Sequence, residues 1–195
     1  LNLPPDRRGL IHERDAESVI RWNRMMEEIF SREVAAFATV TADIPIHSDC
    51  GAENLLRETG FYAAACREPV ITLRFSESVT FDCFRLEEVI ELGHRVRGFV
   101  LEVWENGQWR QILYRTCIGF CHAERIPPVI ADTLRIRVTQ ADAPPVLRRL
   151  CLYDTRGIGL VSDREQTPKE LTGLNFVCDG KVVTAVLGGI YPFNA

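Results

Sequence analysis

The sequence lacks several features that would assign it to a specialised class of protein. No apolar run reaches the roughly 20 residues that a membrane-spanning helix needs. Its charged residues are interspersed rather than grouped, and the formal net charge of −4 leaves no basic stripe that would bind phosphates. We therefore expect neither a membrane nor a nucleic acid as a partner.

The sequence also lacks the even, closely spaced cysteine framework of a small disulfide-stabilised protein, because its cysteines number seven. Six of them lie in or beside strand-like stretches, where a thiol packs as a small apolar group: Cys66, Cys83, Cys117, Cys121, Cys151 and Cys178. We expect most of these to be reduced core residues. One or two disulfides are the alternative if the protein is secreted, and the sequence assigns no pairing.

No metal-binding pattern is complete. Cys117, Cys121 and His122 form a C-x3-C-H sequence, but a structural zinc needs four ligands and no second ligand pair follows at a typical spacing. In a strand the two cysteines would share one face, which suits core packing equally well. Oxygen-bearing side chains between residues 49 and 58 match no calcium-loop spacing. We predict no metal and no cofactor.

What is present is enough apolar material for one sizeable core, with 46% hydrophobic residues in a chain of 195. Near the N-terminus, Asp15 is the expected N-cap of an amphipathic helix that ends near Ser31. Its apolar residues recur at helical spacing: Val19, Ile20, Trp22, Met25, Met26, Ile29 and Phe30. A methionine and aromatic stripe of this kind is typical of a packing surface.

From Val34 onward the pattern changes to short β-branched and aromatic runs separated by turn residues. Asn106-Gly107 predicts a type I′ hairpin turn, and Asp179-Gly180 repeats the pattern. The predicted strands are residues 34–41, 69–75, 79–87, 96–104, 109–114, 133–139 and 146–153, with two more at 173–178 and 181–187. So many short strands indicate a mainly β fold, a sandwich or jelly roll.

Three stretches carry a resemblance to a known family. They are LNLPPDRRGLIHERD at residues 1–15, VTFDCFRLEEVIELGHRVRGFVLEVWENGQWRQI at 79–112 and TCIGFCHAERIPPVIADTLRIRV at 116–138. The first resembles the end of the catalytic barrel, and the others the C-terminal domain, of α-L-fucosidases of glycoside hydrolase family 29. They stand in that family's order, over residues 1–154, and a shared order of motifs is stronger than any single one.

The resemblance has departures. His94 stands where the family usually has glutamine, and Cys117 replaces a usual threonine. Phe120-Cys121-His122 replaces an aromatic and basic run. Residues 155–195 carry none of these stretches and do not share in the resemblance.

The resemblance implies a domain organisation. Residues 1–33 are expected to be the last strand end and helix of a (β/α) barrel, and 34–154 a galactose-binding-like jelly-roll sandwich. Residues 155–195 are an extension of unknown role with extra strands. The chain opens on Leu1 inside an apolar phrase, so we expect the natural polypeptide to begin further upstream. The family implies a secreted, periplasmic or lysosomal parent.

The resemblance also implies a function for the parent protein, namely retaining, exo-acting hydrolysis of terminal α-L-fucosyl residues. The family's catalytic Asp and, in many members, Glu lie in the barrel, so no catalytic residue is expected in this chain. Asn2, at the end of the last barrel strand, is the one residue expected near the pocket. The implied partners are the barrel of the same polypeptide and fucosylated glycans.

Two other groups of residues bear on function. The adjacent pairs Glu27-Glu28 and Glu87-Glu88 should diverge and lie on the solvated surface. Trp104 and Trp109 flank the Asn-Gly turn, where they either stack on a sugar or, as is more usual for tryptophan, anchor a core or a domain interface. The alternative function is therefore an independent carbohydrate-binding module.

Overall fold

The computed structural model describes residue 5, residues 7–43 and 45–158, and the backbone of 174–178 and 181–185. The chain divides into two compact units, residues 1–158 and residues 159–195. None of the helices within these described ranges is long and apolar enough to cross a membrane.

One α-helix, α1 (Glu13–Ser31), precedes the strands. Its N-cap is His12, whose side chain accepts a hydrogen bond from the backbone N–H of Arg14. The prediction of Asp15 as N-cap was therefore wrong. Asp15 lies in the first helical turn, where a carboxylate interacts favourably with the helix dipole.

Seven strands lie within the described residues of the first unit. Their bounds are β1 (Thr39–Ala42), β2 (Tyr62–Ala63), β3 (Val70–Glu88), β4 (Val96–Glu105), β5 (Gln108–Arg115), β6 (His122–Ala141) and β7 (Val146–Tyr153). Short 3-10 helices occupy Ala35–Phe37, Ser48–Cys50, Ala52–Leu56 and Ile90–Leu92.

The two longest strands, β3 and β6, build a sandwich because each changes neighbours along its length. The first part of β3 and the last part of β6 pair with each other in one layer, whose strand order is β1-β3-β6-β4-β5. We call it the first layer. The remaining parts pair in a second layer, ordered β6-β3-β7-β2. The register shifts between Arg74 and Val79, where β3 passes from one layer to the other. This confirms the predicted mainly β sandwich.

The core lies between the layers and follows the alternation of strand side chains. Leu73, Leu101 and Leu134 are fully buried from the first layer, as are Phe84 and Leu152 from the second. The intervening side chains, such as Arg74, Trp104 and Arg135, point outward. The predicted half-buried strand around Arg135 is thus confirmed.

The hairpin between β4 and β5 has the geometry that its sequence predicts. Asn106 and Gly107 both have positive φ, at 53° and 79°, as a type I′ turn requires. β4, β5 and β7 begin and end within one residue of their predicted bounds.

Other predicted strands differ from those observed. Residues 69–75 and 79–87 are one continuous strand, β3, and the predicted 133–139 strand is only the end of β6. Residues 35–37 form a 3-10 helix rather than part of a strand. Turn-like residues therefore interrupt the hydrophobic pattern without interrupting the ladder, which accommodates them as bulges.

In the second unit, β8 (Leu174–Cys178) and β9 (Lys181–Ala185) form an antiparallel pair. Both agree with predicted strands. Asp179-Gly180, the predicted turn between them, lies outside the described residues.

Candidate functional site

The structure brings two of the three predicted site residues together. Trp104 and Trp109 are directly paired across the β4–β5 hairpin, on the outer face of the first layer. Their ring centroids are 5.2 Å apart and their planes are inclined by 66°, an edge-to-face arrangement. Asn2, the third residue, lies outside the described residues.

Neither tryptophan is a core residue. Trp104 is 44% exposed, and Trp109 is only partly buried. Because both side chains lie on the outward face of their strands, neither anchors the sandwich core. Stacking on a sugar and anchoring of a domain interface both stay predictions.

Trp109 is held in place by an arginine. The guanidinium of Arg135 lies over its indole, 4.1 Å from the ring centroid, as in a cation–π contact. Arg135 is fixed in turn by Glu102, which accepts a hydrogen bond of 2.6 Å from its Nε. Arg137 lies 3.4 Å from the other Glu102 oxygen.

Glu102 is a buried carboxylate between these two arginines. Burial works to raise its pKa, but hydrogen bonds and charge from Arg135 and Arg137 outweigh it, so that the pKa is lowered. Glu102 therefore stays ionised at neutral pH and keeps the two guanidinium groups oriented.

A shallow pocket of about 500 Å³ lies beside the indoles and is lined by Arg74, Trp104, Trp109 and Thr133. Thr133 and Arg74 are directly paired between β6 and β3. The pairing of Val103 with Leu134 places Thr133 beside Trp104. One lateral row thus crosses four strands, from Trp109 to Arg74.

The other buried carboxylates are occupied by structural contacts. Glu88 accepts hydrogen bonds from the backbone N–H groups of Arg95 and Val96, at 2.9 and 3.1 Å. Glu87 forms an ion pair with Arg85. The prediction that Glu87 and Glu88 are solvated was wrong: they are 6% and 1% exposed, Glu87 in an ion pair with Arg85 and Glu88 hydrogen-bonded to backbone amides.

A second set of contacts joins α1 to the outer face of the second layer. Phe30 lies edge to face with Tyr153, with centroids 5.2 Å apart, and Arg85 lies over the Phe30 ring at 5.5 Å. Just beyond the helix, Glu33 accepts a hydrogen bond of 3.1 Å from Arg149. Sequence reasoning missed this junction, because nothing in the pattern pairs residue 30 with residue 153.

Only some of the cysteines that were predicted to be core residues are buried. Cys83 and Cys151 are buried, whereas Cys66, Cys117 and Cys121 are exposed, and all are free thiols. The C-x3-C-H residues Cys117 and Cys121 precede β6 in a surface loop. Within the described ranges, no group of three or more His, Cys, Asp or Glu side chains is placed to hold a metal ion.

Comparisons with known proteins agree on one group. The chain is 29% identical over 182 residues to alpha-L-fucosidase 1 of Arabidopsis thaliana, covering 88% of this chain and 36% of that protein. It is also 29% identical over 156 residues to putative alpha-L-fucosidase 1 of Oryza sativa subsp. japonica, covering 75% of this chain and 30% of the relative. No family model matches the chain.

Solved structures agree with these relatives. A putative alpha-L-fucosidase from Bacteroides thetaiotaomicron superposes with a TM-score of 0.74 at 29% identity, covering 81% of this chain and 36% of that one. The structure of SpGH29 superposes with a TM-score of 0.71 at 26% identity, covering 79% of this chain and 35% of that one.

The fold is a mainly β sandwich, and these matches show that it is similar to part of the α-L-fucosidases. The chain spans about a third of the length of the relatives it matches. In sequence and fold it is similar to a C-terminal portion of α-L-fucosidases, among them the glycoside hydrolase family 29 structure SpGH29.

Proposed function

We propose that the whole protein hydrolyses terminal α-L-fucosyl residues of glycans, and that this chain supplies its non-catalytic, supporting sandwich. The observation that carries the proposal is the agreement of sequence and fold with α-L-fucosidases over four fifths of the chain. The matches do not favour the alternative of an independent carbohydrate-binding module.

The reacting groups, in this proposal, belong to the catalytic barrel outside this chain. A retaining glycosidase needs two carboxyl groups about 5 to 5.5 Å apart, facing one sugar ring. Among the described residues the buried carboxylates are each engaged by arginines, by Thr155 or by backbone amides: Asp82, Glu87, Glu88 and Glu102. Such contacts fit a structural role better than a catalytic pair.

The supporting role is argued from α1. Phe30, near its C-terminal end, and Glu33, just beyond it, contact the sandwich, whereas Trp22 on its apolar face is 49% exposed. We propose that residues 1–33 belong to the barrel, with barrel neighbours covering Trp22. Residues 34–154 are then the sandwich against which the barrel packs, and 155–195 an extension beyond it.

The test extends the reading frame upstream of Leu1 and assays the longer polypeptide with 4-nitrophenyl α-L-fucoside, with the β-L-fucoside as the matched control. The proposal expects turnover of the α-anomer alone. An upstream frame that encodes no barrel, or a longer polypeptide that cleaves neither anomer, would contradict it.

A further inference from the structure

The outer face of the first layer carries the shallow, open pocket described above, and the proposed supporting role does not use it. Its row of Trp109, Trp104, Thr133 and Arg74 crosses β5, β4, β6 and β3. Neighbouring strands lie about 4.8 Å apart, so the backbones at Trp104 and Arg74 are roughly 10 Å apart. A single pyranose ring with one substituent fits this span.

The two indoles play different parts in the pocket. One face of Trp109 is covered by Arg135, which Glu102 fixes in turn. Trp104 leans against Trp109 edge to face and remains 44% exposed. The arrangement supports Trp104 through its contact with Trp109 and leaves part of its apolar surface open to a ligand.

The opposite end of the row is positively charged. Arg74 is exposed, and among the described residues its side chain has no ion pair or hydrogen bond. Arg135 and Arg137 share one carboxylate, that of Glu102. This face therefore carries three arginines against one glutamate, although the whole chain has a net charge of −4.

The helix that leads into the sandwich does not cover this face. Phe30 and Glu33 contact Tyr153, Arg85 and Arg149 on the outer face of the second layer. The outer faces of two stacked layers point away from each other. The pocket is thus on the side of the sandwich away from α1.

We infer that this pocket binds an acidic carbohydrate, one that bears a carboxylate or a sulfate group. The sugar ring stacks on Trp104, the Thr133 hydroxyl hydrogen-bonds a ring substituent, and Arg74 pairs with the anionic group, for which a guanidinium has suitable geometry. Arg135 and Trp109 hold Trp104 in position. The inference goes beyond the proposed function and does not depend on hydrolysis, so that either can fail alone.

The experiment titrates the chain with lactose, 3′-sialyllactose and lactose 3′-sulfate, which share the lactose disaccharide. Lactose has no acidic group, 3′-sialyllactose adds a sialic acid residue with its carboxylate, and lactose 3′-sulfate adds a sulfate. Calorimetry should give saturable binding of at least one acidic sugar, about tenfold tighter than lactose, since a charge-assisted hydrogen bond is worth about that much. Tighter binding of 3′-sialyllactose would indicate a carboxylated ligand, and tighter binding of lactose 3′-sulfate a sulfated one.

Variants separate the roles of the residues. Arg74→Gln should reduce the affinity for the acidic sugar to that for lactose, and Trp104→Ala should abolish binding of all three. Arg97→Gln is the matched control, because it removes one exposed guanidinium from β4 that pairs with Asp142 away from the pocket. Trp104→Phe, which keeps a ring, should retain weakened binding and guards against misfolding.

Three results would overturn the inference. They are equal affinity for lactose and the acidic sugars, no saturable binding of any of the three, and an Arg74→Gln variant that binds as well as Arg97→Gln.

Discussion

Asp82 and Thr155 are joined by two hydrogen bonds inside the protein. One carboxylate oxygen accepts from the Thr155 backbone N–H at 2.7 Å, and the other from its hydroxyl at 2.8 Å. Both residues are almost fully buried, at 2% and 1% exposure. The pair fixes the chain just after β7 to the middle of β3.

We expect Thr155→Val to lower the free energy of unfolding by about 1 kcal/mol, because it removes one hydrogen bond at nearly constant volume. Asp82→Ala should cost more, about 3 kcal/mol, since it also leaves the buried Thr155 N–H unpaired. Urea unfolding measures both. Asp132→Ala, at an exposed position, is the control and should change stability by less than about 0.5 kcal/mol. Equal effects of the two aspartate variants would contradict this account.

The reactivity of the cysteine thiols should depend on their exposure. Burial, with the neighbouring Asp82 carboxylate, raises the pKa of Cys83 to about 11, so its thiolate is scarce at neutral pH. Cys117 and Cys121 are exposed. Iodoacetamide labelling followed by peptide mass spectrometry should modify Cys117 and Cys121 in the folded chain, and Cys83 and Cys151 only after unfolding. Labelling of Cys83 at the rate of Cys117 would be the opposite outcome.

Glu102 should make stability depend on pH. Its folded-state pKa is lowered, so its contribution is present above the unfolded value of about 4.3 and is lost as pH falls through the folded pKa. Glu102→Gln should therefore destabilise the chain at pH 7, and the difference from wild type should shrink below about pH 4.

Glu105→Gln provides the control for Glu102, since Glu105 pairs with Arg110 at the exposed end of the same hairpin. An exposed ion pair contributes little, and this variant should match wild type at both pH values. A destabilisation by Glu102→Gln that is equal at pH 7 and pH 3 would show that its charge is not the cause.

The sequence predicts the β elements well where local chemistry decides them. Asn106-Gly107 determines its turn by tolerating positive φ, and the alternation around Arg135 identifies the buried face. It does not predict that β3 runs unbroken from Val70 to Glu88, because partners on β6 and β7 hold the bulged ladder together. Tertiary pairing overrides the local signal there.

The candidate site was only partly predictable. Trp104 and Trp109 were found because they flank a recognisable turn, but their exposure depends on which strand face turns outward. Arg74 joins them across β6, from a strand 30 residues earlier in the chain. No single sequence motif predicts this pairing between strands that are distant in the sequence.

The exposed face of α1 should make the chain self-associate. Trp22→Glu should lower the sedimentation coefficient of concentrated samples, because it places a charge on the apolar face. Arg21→Gln is the matched control, since it changes the net charge by the same amount at an exposed position beside that face. In the longer polypeptide, Trp22→Glu should lower the melting temperature and Arg21→Gln should not. If the two variants have the same sedimentation coefficient and the same melting temperature, Trp22 is not buried by self-association or by the barrel.

We propose that the groups that cleave fucosides lie outside these 195 residues. The turnover of 4-nitrophenyl α-L-fucoside by a monomeric, homogeneous preparation of this chain tests this proposal. We expect release of nitrophenol at the rate of the buffer alone. Saturable turnover that co-purifies with the monomer would contradict it and would place a catalytic pair within the chain.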